Sequence, residues 1–289
     1  MGFFITAIIL GLCYALMGLG IYISMKIFKI PDITTDGSFT LGAALTAVCL
    51  TQWQLQPLAT LMVVIIGGAI AGSLTAIIHH YFKIEALLAG ILVMTALYSI
   101  NLMVMNRSNI PLINTPNIFK SLRFDLSEPY IVAILFPALF IAVLAIIFRT
   151  DFGIAIRASG DNETMSKSMG IKIGKMKIIG LAMANALTAV AGYLITQYQS
   201  FADINMGLGI VMVGLGSVLI GDSIANAFKV QTIAGKMIFV VFGSIIFQMI
   251  LAISLSIGVN PNALKLITAV LVFAAVVLTN RKKYLSRAR

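Results

Sequence analysis

The chain predicts an all-α, polytopic transmembrane helix bundle, and three observations carry that expectation. Hydrophobic residues make up 60% of the 289 and charged residues only 10%, where a soluble domain has about a quarter charged. Apolar segments near the roughly 20 residues needed to cross a hydrocarbon core recur along the whole sequence. Between two of them lies a single polar island, Arg149 to Lys177, reading RTDFGIAIRASGDNETMSKSMGIKIGKMK. One transmembrane domain is therefore expected over 1–289, with 149–177 as a loop within it. The formal charge of +10 would suggest nucleic acid in a soluble protein. Here basic residues are expected to sort to cytoplasmic loops instead. No basic patch interleaved with exposed aromatics occurs, so a nucleic-acid partner is not expected.

The elements follow in order. Phe3 to Met25 is too long for a signal-peptide core, has no basic residue ahead of it and lacks a small-residue cleavage site, so it reads as the first span. Further spans are expected at about 37–51, 58–82, 85–105, 130–148, 178–198, 207–222, 233–257 and 263–280, about nine in all. Two of them, 37–51 and 207–222, are short and glycine-rich, and each follows an irregular polar segment. Cys13 and Cys49 fall within apolar segments and are expected to pack as small hydrophobes. Gly68 and Gly72, four apart, suit a close helix–helix contact, as do Gly67, Gly180 and Gly192. His79 and His80 are neighbours at the end of the third span. They point about 100° apart, a poor geometry for one metal, and read as interfacial anchors. The stretch from Asn106 to Pro129, with Pro111, Pro116 and Pro129, reads as an irregular loop holding one short helix. Docking an extracellular partner and simple connection both fit it.

Basic residues orient the chain. With the tail RKKYLSRAR in the cytoplasm, 16 Lys and Arg fall inside and 4 outside, the latter being Arg107, Lys120, Arg123 and Lys265. The positive-inside rule then gives an N-terminus outside, a C-terminus in the cytoplasm and a cytoplasmic polar island.

Inside that island Thr150 is placed to cap a helix through Ser159, with Gly160 ending it in the left-handed conformation. Asp161 is placed to cap a second helix, with Met165 and Met169 on one face and Gly170 closing it. Two such helices would form a knob on the membrane surface; an ordinary solvated loop is the alternative. The run Phe152-Gly153-Ile154-Ala155-Ile156-Arg157-Ala158-Ser159-Gly160-Asp161-Asn162-Glu163, followed by Met169-Gly170-Ile171, resembles the cytoplasmic loop of bacterial ABC importer permeases of the branched-chain amino acid and ribose type. The segment Ile30 to Ala44 (IPDITTDGSFTLGAA) and the glycine-rich Gly214 to Gly221 (GLGSVLIG) are similar to a subgroup whose genes accompany a lipoprotein-like binding protein and an ATPase.

The resemblance implies coupling helices that sit in a groove of an ATP-binding cassette subunit, through Phe152, Gly153, Arg157, Gly160, Asp161, Asn162, Met165, Met169 and Gly170. It also implies a second copy of the chain across the pathway, a substrate-binding protein or lipoprotein outside, and a bacterial cytoplasmic membrane as the site. No phosphate-binding G-x-x-x-x-G-K-[ST] loop occurs in the sequence. No cofactor is therefore expected on this chain, and ATP with Mg²⁺ belongs to the ATPase subunit. The implied solute is an amino acid, aromatic ones ahead of branched-chain ones, with sugars and nucleosides also carried in the wider family.

Candidate pathway residues are Asp32, Thr35, Asp36, Asn185, Thr188 and Asp203. Carboxylates near mid-membrane are costly and usually functional, whereas capping a helix start is the alternative for Asp32 and Asp36. Lys29 to Ile33 aligns with Ser200 to Ile204, as an inverted repeat with broken helices would require. Asn185 and Thr188 share a helix face, which fits either a polar path or hydrogen bonds between helices. Two rival functions stand beside this reading: an ion-coupled secondary transporter, and an intramembrane enzyme. The second lacks convergent nucleophile, base or metal ligands in the sequence.

Overall fold

Backbone groups in lipid must bond within their own segment, so each long apolar stretch becomes a helix. The computed structural model describes residues 2–121, 129–260 and 263–287. The order is α1 (Gly2–Ile21), a π-helical turn (Tyr22–Ile27), α2 (Thr34–Thr51), α3 (Pro57–Tyr81), α4 (Ala86–Met105), β1 (Asn109–Pro111), α5 (Ile118–Ser121) and α6 (Pro129–Ile147). Then come α7 (Asp151–Asp161), α8 (Glu163–Ser168), α9 (Ile173–Gln199), β2 (Phe201–Asp203), α10 (Ile210–Ala227), α11 (Ile233–Ser256) and α12 (Leu264–Arg287).

Among the described residues, seven helices are long and apolar enough to cross a bilayer, which does not by itself reach the expected count of about nine. The two expected spans left over fall in α2 and α12. In α12 the apolar stretch found among the described residues is Leu264–Val277. The other helix, α2, carries Thr34, Thr35, Asp36, Ser38, Thr40 and Thr46, and all its residues except Leu45 and Thr51 are buried. Covered by other helices on nearly every side, it has no lipid-facing surface that would select apolar residues.

Small residues set the packing. A side-chain carbon at Gly68 would lie 2.7 Å from Ala189, and one at Gly72 would strike the carbonyl of Leu181, so α3 lies directly on α9. Beside this contact, Gly42 of α2 meets the carbonyl of Ala189, and Gly192 meets that of Phe39. The result is a central helix with an unbroken buried run from Leu187 to Gln197. Cys13 and Cys49 are both buried in this packing, as their apolar settings suggested.

The arrangement repeats with inverted direction. α1 runs antiparallel along α11, where the Ser244 hydroxyl donates to the Gly11 carbonyl at 2.7 Å. α9 runs antiparallel along α3 in the same way. α2 contacts α3 and α4, and α10 contacts α11 and α12. Helices α1–α4 and α9–α12 are thus two copies of one motif, with α6, α7 and α8 between them. In each copy the second helix starts late, after an irregular segment: 28–33 before α2, and 200–209 around β2 before α10.

One feature was absent from the sequence reading. β1 pairs antiparallel with β2, joining the 106–117 loop to the segment that follows α9. The expected short helix is α5, anchored where the side-chain amide of Gln197 accepts from the Ile118 N–H at 2.8 Å. Arg123, counted in the orientation argument, lies outside the described residues.

Because Gly42 has no room for a side chain, Gly42→Val should separate α2 from α9. We expect a loss of at least about 1–3 kcal/mol, read as a lower melting temperature of the purified protein or its loss from the membrane.

Candidate functional site

A helix that begins inside a bilayer exposes N–H groups with no water to take them. Both late-starting helices have this problem, and a buried carboxylate answers each. Asp32, 1% exposed, accepts from the Thr34 N–H at 2.9 Å and from the Asn185 side-chain amide at 2.7 Å. The amide oxygen of Asn185 accepts in turn from the Ser38 hydroxyl at 2.7 Å. The hydroxyls of Thr34 and Thr75 lie 2.7 Å apart, so α2, α3 and α9 share one polar node. Thr35 closes its end by donating to the Asp32 carbonyl at 3.3 Å.

Asp36 works at longer range. It sits in the first turn of α2, yet its carboxylate accepts from the N–H groups of Gly209 at 2.9 Å and Val211 at 2.8 Å. It therefore caps α10, and its negative charge faces the positive end of that helix. Gly209 holds φ +80° to present its N–H, a conformation that suits glycine. From Ile173 at the base of α9 to Asn185 is about 18 Å of helix, and from Ile210 to Asp222 near the same end of the bundle is also about 18 Å. Both nodes thus lie near the middle of a core about 30 Å thick.

The other two pathway candidates stand apart. Thr188 donates to the Ala184 carbonyl of its own helix at 3.0 Å and abuts Gly20 of α1. Asp203 lies in the strand pair at the opposite end of the bundle from α7, where it accepts from the Asn205 N–H at 2.8 Å. The alignment of 29–33 with 200–204 marked the two broken segments, but their carboxylates are not equivalent. α10 receives its cap from Asp36 of the other copy of the motif.

The polar island forms the knob. Thr150 caps α7, its hydroxyl accepting from the Gly153 N–H at 3.3 Å. Two expectations within it are corrected. Gly160 does not end the first helix in a left-handed turn, because α7 continues through Asp161; its missing side chain lets it press on the Ile27 carbonyl. The cap of α8 is Asn162, whose side chain accepts from the Met165 N–H at 3.0 Å, and not Asp161. Asp161 instead pairs with Lys29 at 3.0 Å. Gly170 does close the turn with φ +81°. Gly153 packs on the end of α6, and the Arg157 guanidinium donates to the carbonyls of Gly153 and Phe148 at 3.4 Å. Phe152 packs half-buried against the core. Met165 and Met169 project outward, 61% and 68% exposed.

Two tethers hold this knob. Lys29–Asp161, with Gly160 against Ile27, ties it to the segment leading into Asp32. On the other side Lys177 of α9 pairs with Glu163 at 2.6 Å and lies 3.4 Å from the Nε2 atom of His79. His79 also contacts the Ile84 carbonyl at 2.8 Å through Nδ1, and His80 packs on Gly174; both close the base of α3. Sequence reasoning missed Thr34, Ser38 and Thr75 in the node. The crowding of hydroxyls in TTDGSFT, unsuited to a lipid-facing helix, was the available signal.

Replacing Asp36 tests the long-range cap. Asp36→Ala strands two N–H groups and should cost about 2–4 kcal/mol of stability, while Asp36→Asn, keeping one acceptor oxygen, should cost roughly half as much. Thermal unfolding of the purified protein measures both.

The sequence that builds this geometry has relatives. The family model for the branched-chain amino acid transport system permease component matches residues 3–277. A tyrosine transport system permease protein of Clostridioides difficile is 40% identical over 91% of this chain and 86% of its own length. An uncharacterized protein of Rickettsia prowazekii is 36% identical over 98% of this chain and 99% of its own. The ribose import permease protein of Escherichia coli is 24% identical over 75% of this chain and 67% of its own. No solved structure matches. With the match spanning nearly the whole helical bundle, the chain belongs to the family of branched-chain amino acid transport system permease components.

Proposed function

We propose that the chain is the membrane-spanning subunit of an ATP-driven importer, carrying a small polar solute by alternating access. The single observation that supports this best is where the two tethers of the knob converge. One runs from Asp161 through Lys29 to Asp32; the other runs from Glu163 through Lys177 and up α9 to Asn185. Asp32 and Asn185 are bonded to each other. A force on Met165 and Met169 therefore acts on both sides of one buried hydrogen bond. Methionine suits a contact that must persist while the partner moves.

In this reading an ATP-binding cassette subunit grips the knob and holds ATP and Mg²⁺, while this chain performs no catalysis. Two copies of the chain enclose the pathway, and a binding protein or lipoprotein delivers solute at the opposite face. The face bearing α7 and α8 is cytoplasmic, because Lys26, Lys29, Lys83, Lys229 and the six basic residues of the polar island gather there. The N-terminus then lies outside and the C-terminus in the cytoplasm of a bacterial plasma membrane. The similarity to a tyrosine transport permease favours an amino acid, aromatic ones first.

Testing the lever calls for a change that leaves the fold alone. Gly160 is unsuitable, since any side chain there strikes Ile27. The double substitution Met165→Glu, Met169→Glu alters only exposed side chains. It should leave membrane insertion and melting temperature unchanged, while ATPase association and ATP-dependent uptake of tyrosine into proteoliposomes fall roughly tenfold or more. Wild-type uptake that runs on an ion gradient with no ATPase present would instead select the secondary-transporter alternative.

A further inference from the structure

Asp36 is 5% exposed, and among the described residues its carboxylate has no cationic side chain in ion-pairing range. The N–H groups of Gly209 and Val211 supply dipoles, not a full countercharge. Beside it, between α2, α4 and the segment entering α10, lies a cavity of about 20 Å³ lined by Asp36, Thr40, Tyr98, Asn101 and Leu208 among others. That is room for one water-sized group.

Asn101 is fully buried in the wall of this cavity. Its amide nitrogen donates to the Gly37 carbonyl at 3.3 Å, and its amide oxygen has no partner. Such an orphaned acceptor in a native fold calls for an explanation. The Thr40 hydroxyl already donates, to the Asp36 carbonyl at 3.1 Å, which leaves its lone pairs toward any occupant. The polar lining thus combines the Asp36 carboxylate, the orphaned Asn101 oxygen and the Thr40 lone pairs as acceptors, with the Tyr98 hydroxyl at its margin. A water would satisfy Asn101 but would leave the carboxylate uncompensated. A positively charged donor satisfies both.

We propose that this pocket receives the protonated primary amine of the translocated solute, with the rest of the solute outside it against Tyr98 and Leu208. The inference rests on the permease reading and sharpens it. A sugar brings hydroxyl donors but no charge, so an Asp36–Asn101 pocket discriminates amino acids from sugars inside the membrane subunit itself. Asp32, the other buried carboxylate, is already committed to Thr34 and Asn185.

The test uses the full chain in nanodiscs, with tyramine, 3-(4-hydroxyphenyl)propionate and sodium chloride at matched ionic strength as separate probes. Tyramine should raise the melting temperature in a saturable manner, and the des-amino acid and sodium should not. Asn101→Leu removes the orphaned acceptor together with the 3.3 Å bond to the Gly37 carbonyl, so the tyramine response is read as a shift from the variant's own ligand-free melting temperature. The substitution should weaken that response roughly tenfold or more, the worth of one charge-assisted hydrogen bond. Equal responses to tyramine and the des-amino acid, an unaltered response in Asn101→Leu, or none in wild type would overturn the proposal. A response to sodium alone would also overturn it, by assigning the pocket to an alkali ion. Amine binding in nanodiscs without ATP-dependent uptake by the complete assembly would sink the importer reading and leave the pocket standing.

Discussion

Starting a helix in the middle of a bilayer leaves N–H groups that neither lipid nor the helix itself can satisfy. α2 and α10 both start there, and the structure around them follows from that requirement. Each needs an anion or a polar side chain at its first turn, and each obtains it from a carboxylate just ahead of or within α2. Those carboxylates must in turn be shielded and bonded. This brings Asn185 of α9 to Asp32 and fixes where α9 can lie. The small residues where α2 and α3 meet α9 then become necessary, since both helices must come close enough to bury the polar node. Glycine at 42, 68 and 72 lets backbone meet backbone where any side chain would open a gap.

This chain of dependencies explains which parts of the fold could be read from sequence. Lipid-facing helices were legible because the bilayer imposes length and composition on each of them separately. α2 was legible as a helix but not as an interior one. Its hydroxyls looked like a weak span, whereas they mark a segment that other helices cover. Gly68 and Gly72 were recognisable as contact residues from spacing alone. Gly160 was not, because a helix-ending glycine and a contact glycine look the same until the residue above them is known, here Ile27. Asp161 and Asn162 are adjacent and both able to cap; only the turn geometry chooses between them.

The long-range bonds were beyond reach for a different reason. Asp36 and Gly209 are 173 residues apart, and no local pattern connects them. Nor does a three-residue strand such as β1 carry a periodicity that could announce its pairing with β2. What sequence did convey was the shared irregularity of 28–33 and 200–209, and with it the inverted relation of the two halves. The equivalence of Asp32 with Asp203 did not survive, because one half supplies the caps for both broken helices.

That asymmetry bears on how motion at the surface reaches the centre. If each half capped its own helix, the halves could shift past one another without disturbing either node. With Asp36 of the first half holding the start of α10 in the second, any relative movement of the halves must stretch or keep those two hydrogen bonds. Well-packed interfaces of this kind are bistable and do not deform continuously. The knob is attached to the first half through Lys29 and to the second through Lys177. It therefore straddles the same division that Asp36 bridges about 18 Å deeper in the bundle. In the proposed importer, a displacement of the knob would thereby become a choice between two arrangements of the halves, made at the level of the two buried carboxylates.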